Sequence, residues 1–169
     1  RLDSGIRTVM VYEDAEQQRA GRKALEYTKI KRESELYAIE APDSTEDVRF
    51  VIGLMRWFKR DFFRWCNKPA CNFSDCQAPP SRMLNAKIES PSIEEARIGW
   101  ASRVEVYKCS ECDRLTRFPR FNNPSHLLET RTGRCGEWAN AFCLLCRALS
   151  LDARYVLDFT DHVWVEVYV

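Results

Sequence analysis

At 169 residues, 45% hydrophobic and 30% charged, the chain has enough apolar side chains for one domain core, with at most a small appended module. A net charge of +1 and the lack of a basic tract exclude a nucleic-acid binder that works through a strong overall positive field. There is no long uninterrupted apolar run and no signal-peptide pattern, so no segment is expected to span or target a membrane. Because it opens on Arg1, the chain is expected to be part of a longer protein.

Residues 1–42 are polar and charged, and Asp14 to Leu25 reads as a helix in a solvated packing arm that offers no chemistry. Ser44 and Asp47 form a capping-box start. Val48, Val51, Ile52, Met55, Phe58, Phe62 and Trp65 follow at helical spacing, which predicts a core helix ending at Trp65. On spacing alone Trp65 is a core residue, since large aromatics mostly serve cores.

Next come Cys66, Cys71 and Cys76, a polar proline-containing connector, and Cys109-Ser110-Glu111-Cys112. Thiolates hold zinc in tetrahedral fours, and two short-spaced pairs brought together by a returning chain can wrap one ion. Cys109 and Cys112 make one knuckle. The partner pair is Cys71 with Cys76 or Cys66 with Cys71, the two gaps being equal in length. An ion with four protein ligands keeps no open position for water and serves structure. Asn72-Phe73-Ser74 fits the N-glycosylation pattern by accident if the chain is cytosolic. Ile93 to Arg97 reads as a short helix, and Arg103 to Tyr107 as a strand delivering Cys109. Asn123-Pro124-Ser125 opens another short helix with proline at its first position. His126 there is read as a surface or capping group.

Gly133-Arg134-Cys135-Gly136-Glu137-Trp138 sets one cysteine where an irregular segment becomes a helix, since Trp138, Phe142, Leu145 and Leu149 recur at helical spacing. Unpaired amides and the helix dipole in a first turn favour an anion, which suits a nucleophilic thiol. The β-run that follows opens with His162, one of only two histidines. A helix-start cysteine with a strand-borne histidine is the pattern of a thiol nucleophile and its base. His162, Trp164, Glu166 and Tyr168 share one strand face, a candidate site wall, and the alternating valines face the core. Trp164 could stack on a sugar ring and Glu166 could bond its hydroxyls. Cys143 and Cys146 lie inside the helix among apolar residues and read as core. Paired cysteines and a helix-start thiol fit a reducing compartment better than a secreted disulfide framework, so the expected location is cytoplasmic.

The segments Arg134 to Asn140 and Ala153 to Trp164 closely resemble the transglutaminase-like core of the cytoplasmic peptide:N-glycanases. So do Tyr12-Glu13-Asp14, the region from Trp57 to Trp65, Arg117 to Pro124 and Leu127 to Arg131. The resemblance implies an α+β, papain-like fold in which the Cys135 helix packs on an antiparallel sheet carrying His162. It divides the chain into an N-terminal helical part (1–65), a zinc module with connector (66–115) and a catalytic segment (116–169). It implies zinc on Cys71, Cys76, Cys109 and Cys112, the lead-in Asn67-Lys68-Pro69-Ala70 being like the family's before its first ligand, although four residues rather than two separate Cys71 from Cys76. It places Trp65 on the groove and makes the chain an amidase that removes N-glycans from asparagine on misfolded glycoproteins, partnered by a ubiquitin-receptor shuttle and the proteasome. The family's third catalytic residue, an aspartate, is expected beyond position 169; Asp158 and Asp161 are poor substitutes, so this stretch alone is expected to be weakly active or inactive. Competing expectations are a non-catalytic adaptor that binds proteins or DNA, and a cysteine protease or transglutaminase on the same fold.

Overall fold

The computed structural model describes residues 6, 9–158, 160 and 162–169. Helix α1 (Ala15–Ala24) starts where the Asp14 carboxylate accepts the Glu16 and Gln17 amides at 2.9 and 3.0 Å. Helices α2 (Tyr27–Glu40) and α3 (Glu46–Trp57) form a close pair. They meet at Gly53, where a Cβ would lie 2.1 Å from Ser34 Oγ and 2.7 Å from the Ile30 carbonyl. The cap of α3 is Thr45 rather than the expected Ser44: Thr45 Oγ1 accepts the Val48 amide at 3.3 Å, while the Ser44 hydroxyl donates back to the Ala41 carbonyl at 2.5 Å and closes the preceding turn.

Helix α3 does not run on to Trp65. The backbone widens into a π-turn over Phe58–Phe62, with the Phe63 amide on the Phe58 carbonyl at 2.8 Å, and then extends into β1 (Arg64–Trp65). The wider turn puts Phe58, Phe62 and Phe63 all into the core. It also leaves Trp65 54% exposed, and Met55, expected inside, is 48% exposed. Strand β1 pairs in parallel with β5 (Thr132–Gly133), which follows helix α5 (Pro124–Thr130), so Trp65 lies beside Gly133, two residues before Cys135.

Helix α6 (Cys135–Ala148) is the centre of the larger core, packed by α1, α5 and the hairpin of β6 (Asp152–Asp158) and β7 (His162–Tyr168). The antiparallel register pairs Asp158 with His162 and Tyr155 with Val165. Of the four valines that alternation assigns to the core, Val165 and Val167 pack on it, whereas Val163 is only half-buried and Val169, past the end of the strand, is exposed. An aromatic seam joins α6 to the π-turn: the Trp138 ring stands edge-on to Phe58 and Phe63, each at 5.2 Å.

A second, smaller core lies under the antiparallel sheet β2-β3-β4, made of β2 (Met83–Glu89), β3 (Val104–Cys109) and β4 (Leu115–Pro119). Cys71, Ala78, Met83, Tyr107, Cys109 and Phe118 fill it. Helix α4 (Ile93–Ile98), between β2 and β3, is opened by a capping box of Ser92 and Glu95. No described helix is long and apolar enough to cross a membrane.

Candidate active site and four-cysteine cluster

Glycine is required at position 133, where a Cβ would lie 2.3 Å from Glu137 Cβ. With that space open, Glu137 folds back over the helix start and its carboxylate accepts the Arg134 amide at 3.0 Å. Arg134 is extended and Cys135 is the first helical residue, half-buried, so the thiol stands among the unpaired amides of the first turn.

Cys135 opens onto a cleft of about 550 Å³. Phe58, Trp138 and Phe142 line its apolar interior, and Trp65, His162 and Trp164 stand on its walls. The His162 and Trp164 rings lie 5.7 Å apart, and Trp65 lies 6.1 Å from Trp138. Trp65 donates its indole N–H to Asn67 Oδ1 at 2.7 Å. Of the five cleft residues expected from sequence, the structure thus brings together Cys135, His162, Trp65 and Trp164. Glu166 is engaged elsewhere: it accepts the Trp164 indole N–H at 3.0 Å and Arg154 Nε at 2.7 Å, donors that hold its carboxyl below the usual range. It does not line the cleft itself, and reaches it only through the Trp164 indole.

Tyr155 is a neighbour of the thiol that the sequence reading did not single out. Burial, then the nearby Cys135, Glu137 and Cys143, push its hydroxyl up to about 12. A tyrosine opposite a valine in a half-buried strand carries no sequence signal for such a position. His126 lies away from the cleft lining, with Nδ1 3.1 Å from Glu129 Oε2 and its ring edge-on to Phe121. Asp158 stands opposite His162 in the hairpin, but its carboxylate accepts the Thr160 amide at 3.0 Å and the Thr160 hydroxyl. Asp161 lies outside the described residues.

The thiols of Cys71, Cys76, Cys109 and Cys112 all lie within 4.8 Å of one another. Cys71 and Cys112 are 3.7 Å apart, and Cys76 and Cys109 3.8 Å. Four thiolates at the usual Zn–S length of about 2.3 Å stand about 3.8 Å apart at the corners of a tetrahedron, so this donor set suits that ion. The Arg114 guanidinium beside Cys112 lowers that thiol, which favours the ligating thiolate. Cys66 lies outside the cluster, its amide bonded to the Gly133 carbonyl at 2.9 Å. Cys143 and Cys146 are buried in α6, and burial pushes the Cys143 thiol up to about 12 and that of Cys146 higher still.

Cluster and cleft are joined by a largely buried ionic network. Arg120 holds Glu137 with two bonds, at 2.6 and 2.8 Å, and Glu105 at 2.9 Å. Arg134 holds Glu105 at 2.6 and 3.1 Å. Burial alone would raise the Glu105 carboxyl, but donors from Arg134, Tyr107 and Arg120 outweigh it and hold it at about 2. Since that lies below the ordinary 4.5, its contribution to stability is complete above pH 4.5 and is lost as pH falls towards 2. The melting temperature is therefore expected to drop across this window, and to drop less steeply in Glu105→Gln; thermal melts in a pH series check this.

A helix-start thiol and a hairpin-borne imidazole thus stand on the walls of one cleft, on an α+β scaffold. The transglutaminase-like superfamily matches residues 82–169, just over half of the sequence, and the chain belongs to that superfamily. Over 99% of its length it is similar to proteins named peptide-N(4)-(N-acetyl-beta-glucosaminyl)asparagine amidase. It is 39% identical to the one from Arabidopsis thaliana, 42% to that of Candida glabrata and 40% to that of Homo sapiens. The matched stretch is 23%, 47% and 26% of those relatives, so the chain spans less than half the length of each.

Proposed function

We propose that this chain is the core of an amidase that cleaves the bond between an N-glycan and the asparagine side chain of misfolded glycoproteins. The observation that carries the reading is that Cys135 and His162 wall one cleft, in a chain about 40% identical along nearly its whole length to proteins named for that activity. The Cys135 thiolate attacks the side-chain carbonyl of the glycosylated asparagine, and the amides around the helix start are donors for the oxyanion. His162, as imidazolium, protonates the departing glycosylamine. The remaining thioester is hydrolysed by water that His162 activates, leaving aspartate. Trp164, held by Glu166, offers a flat face for a sugar ring, and Trp65 the opposite wall.

Cys71, Cys76, Cys109 and Cys112 would hold zinc, which cross-links the small core and takes no part in the chemistry. Such an enzyme works where misfolded glycoproteins are degraded, in the cytoplasm, with a ubiquitin-receptor shuttle and the proteasome as the partners this reading implies. The test is incubation of a denatured N-glycoprotein with the intact protein and with its Cys135→Ala form, read by gel mobility. Loss of the glycan only with the unsubstituted enzyme supports the reading. An intact, zinc-loaded protein that leaves the glycan in place overturns it and favours an adaptor.

A further inference from the structure

We infer that Arg134 couples occupancy of the four-cysteine cluster to the placement of the Cys135 thiol, as a positioning residue; this rests on Cys135 being the nucleophile proposed above. Arg134 is the residue immediately before the thiol and sets the entry of the chain into α6. Its side chain makes no bond to its own helix. Nε donates to the Cys66 carbonyl at 3.3 Å, and one terminal nitrogen donates to the Asn67 carbonyl at 2.7 Å and to the Tyr107 hydroxyl at 3.0 Å. The two terminal nitrogens also grip the Glu105 carboxylate.

Every one of these acceptors belongs to a segment that ends in a cluster thiol. Cys66 and Asn67 lead directly into Cys71, and Glu105 and Tyr107 lie on β3, which ends at Cys109. Tyr107 is itself part of the small core that holds Cys71 and Cys109. The stretch from Cys66 to Pro79 has no helix or strand. At its start the Cys66 amide is tied to the Gly133 carbonyl and Asn67 Oδ1 to the Trp65 indole, on the cleft side; towards the cluster the bonds are Cys71 to the Ala78 carbonyl, Lys68 to the Met83 carbonyl, Asn72 with Thr116 and Asp75 with Arg114. A metal ion on the four thiols pins this stretch to the end of β3, so both sets of Arg134 acceptors converge. Without it, the stretch loses its cross-link to the end of β3: Cys66 stays tied to Gly133 beside Arg134, while Glu105 and Tyr107 on β3 can part from the Cys66 and Asn67 carbonyls, and Arg134 cannot satisfy both. A guanidinium fork can bridge such a set because its donors lie in one rigid plane, whereas an ammonium cannot span the same positions. The bistable element is the 66–79 stretch, and the arginine relays its state to the residue next to the nucleophile.

The test uses the intact protein loaded with zinc or stripped by a chelator, and reads the rate at which iodoacetamide alkylates Cys135, resolved from the other cysteines by mass spectrometry of the peptides. In the unsubstituted protein, stripping is expected to slow alkylation of Cys135 at least about fivefold, the lower end of ordinary coupling between sites. In Arg134→Lys and in Glu105→Gln the loaded protein is expected to react slowly already, and the ratio of loaded to stripped rates to fall below about twofold. A side chain that only supports the fold would lower the melting temperature but leave that ratio as in the unsubstituted protein, and this outcome overturns the inference. So does an unsubstituted protein whose Cys135 reacts equally fast with and without zinc. If Arg134→Lys fails to retain zinc, Glu105→Gln decides, since it keeps the arginine and its bonds to the two carbonyls. Alkylation needs no glycoprotein, so the two readings fail separately. Glycan release with a ratio insensitive to both variants sinks only the coupling, and a ratio that follows Arg134 in a protein releasing no glycan sinks only the amidase.

Discussion

On the proposed zinc site, Cys109→Ser is expected to abolish metal binding and to lower stability by about 3 kcal/mol or more. At roughly 2–4 °C per kcal/mol for a chain of this size, that is a fall of about 6–12 °C in melting temperature. The thiol is fully buried at the end of β3, its amide is tied to the Arg114 carbonyl at 2.9 Å, and it faces Cys76 at 3.8 Å. A hydroxyl there would be a poor zinc ligand and an unpaired polar group in a small core. That core has only a handful of side chains of its own, which is the usual circumstance in which a metal stands in for apolar burial. Cys66→Ser, outside the cluster, is expected to keep the metal and most of the stability. Metal content by mass spectrometry beside thermal melts separates the two, and metal lost from Cys66→Ser but kept by Cys109→Ser would reverse the assignment.

His162→Ala is expected to reduce kcat by about a hundredfold to ten-thousandfold, the range for removing a general acid–base. KM should change little, because the cleft wall keeps Trp164 and Trp65. The residue is exposed at the start of β7, so its loss should leave the melting temperature nearly unchanged. His126→Ala is the control: its ring packs on Phe121 and bonds Glu129, away from the cleft lining, and turnover should stay within about twofold. A His126 variant slower than the His162 variant would assign the base to the wrong imidazole.

Several elements were legible in the sequence because a local signal dictated them. Asp14 before a charged helix, proline after Asn123, and the glycine-flanked Cys135 each announce a helix start, and each is one. Alternation along β7 correctly put Val165 and Val167 in the core. The spacing of cysteines alone left Cys66 and Cys76 as equals, and only the folded path of the chain sorts them, by pairing Cys66 with Gly133 at the edge of the cleft. Helical periodicity carried α3 too far, since a π-turn keeps an apolar pattern going while adding a residue to the turn; the exposed Trp65 is the result. Glu166 read as a sugar ligand because it shares a face with His162. Its engagement with Arg154 depends on the register of the hairpin, which the sequence of one strand does not contain. The Arg120, Glu137, Glu105 and Arg134 network was invisible for the same reason: its members come from three separated segments, β3, the stretch after β4 and the start of α6, and isolated charges in sequence resemble surface residues.

The most direct test of the account is to let the intact protein act on a denatured N-glycoprotein in ¹⁸O-labelled water and to determine the glycosylated site by peptide mass spectrometry. Hydrolysis of an asparaginyl thioester on Cys135 predicts aspartate in place of asparagine, bearing one labelled oxygen, with no sugar left on the peptide and no reaction in Cys135→Ala. An asparagine that keeps a sugar residue, or aspartate formed equally well without Cys135, would contradict it.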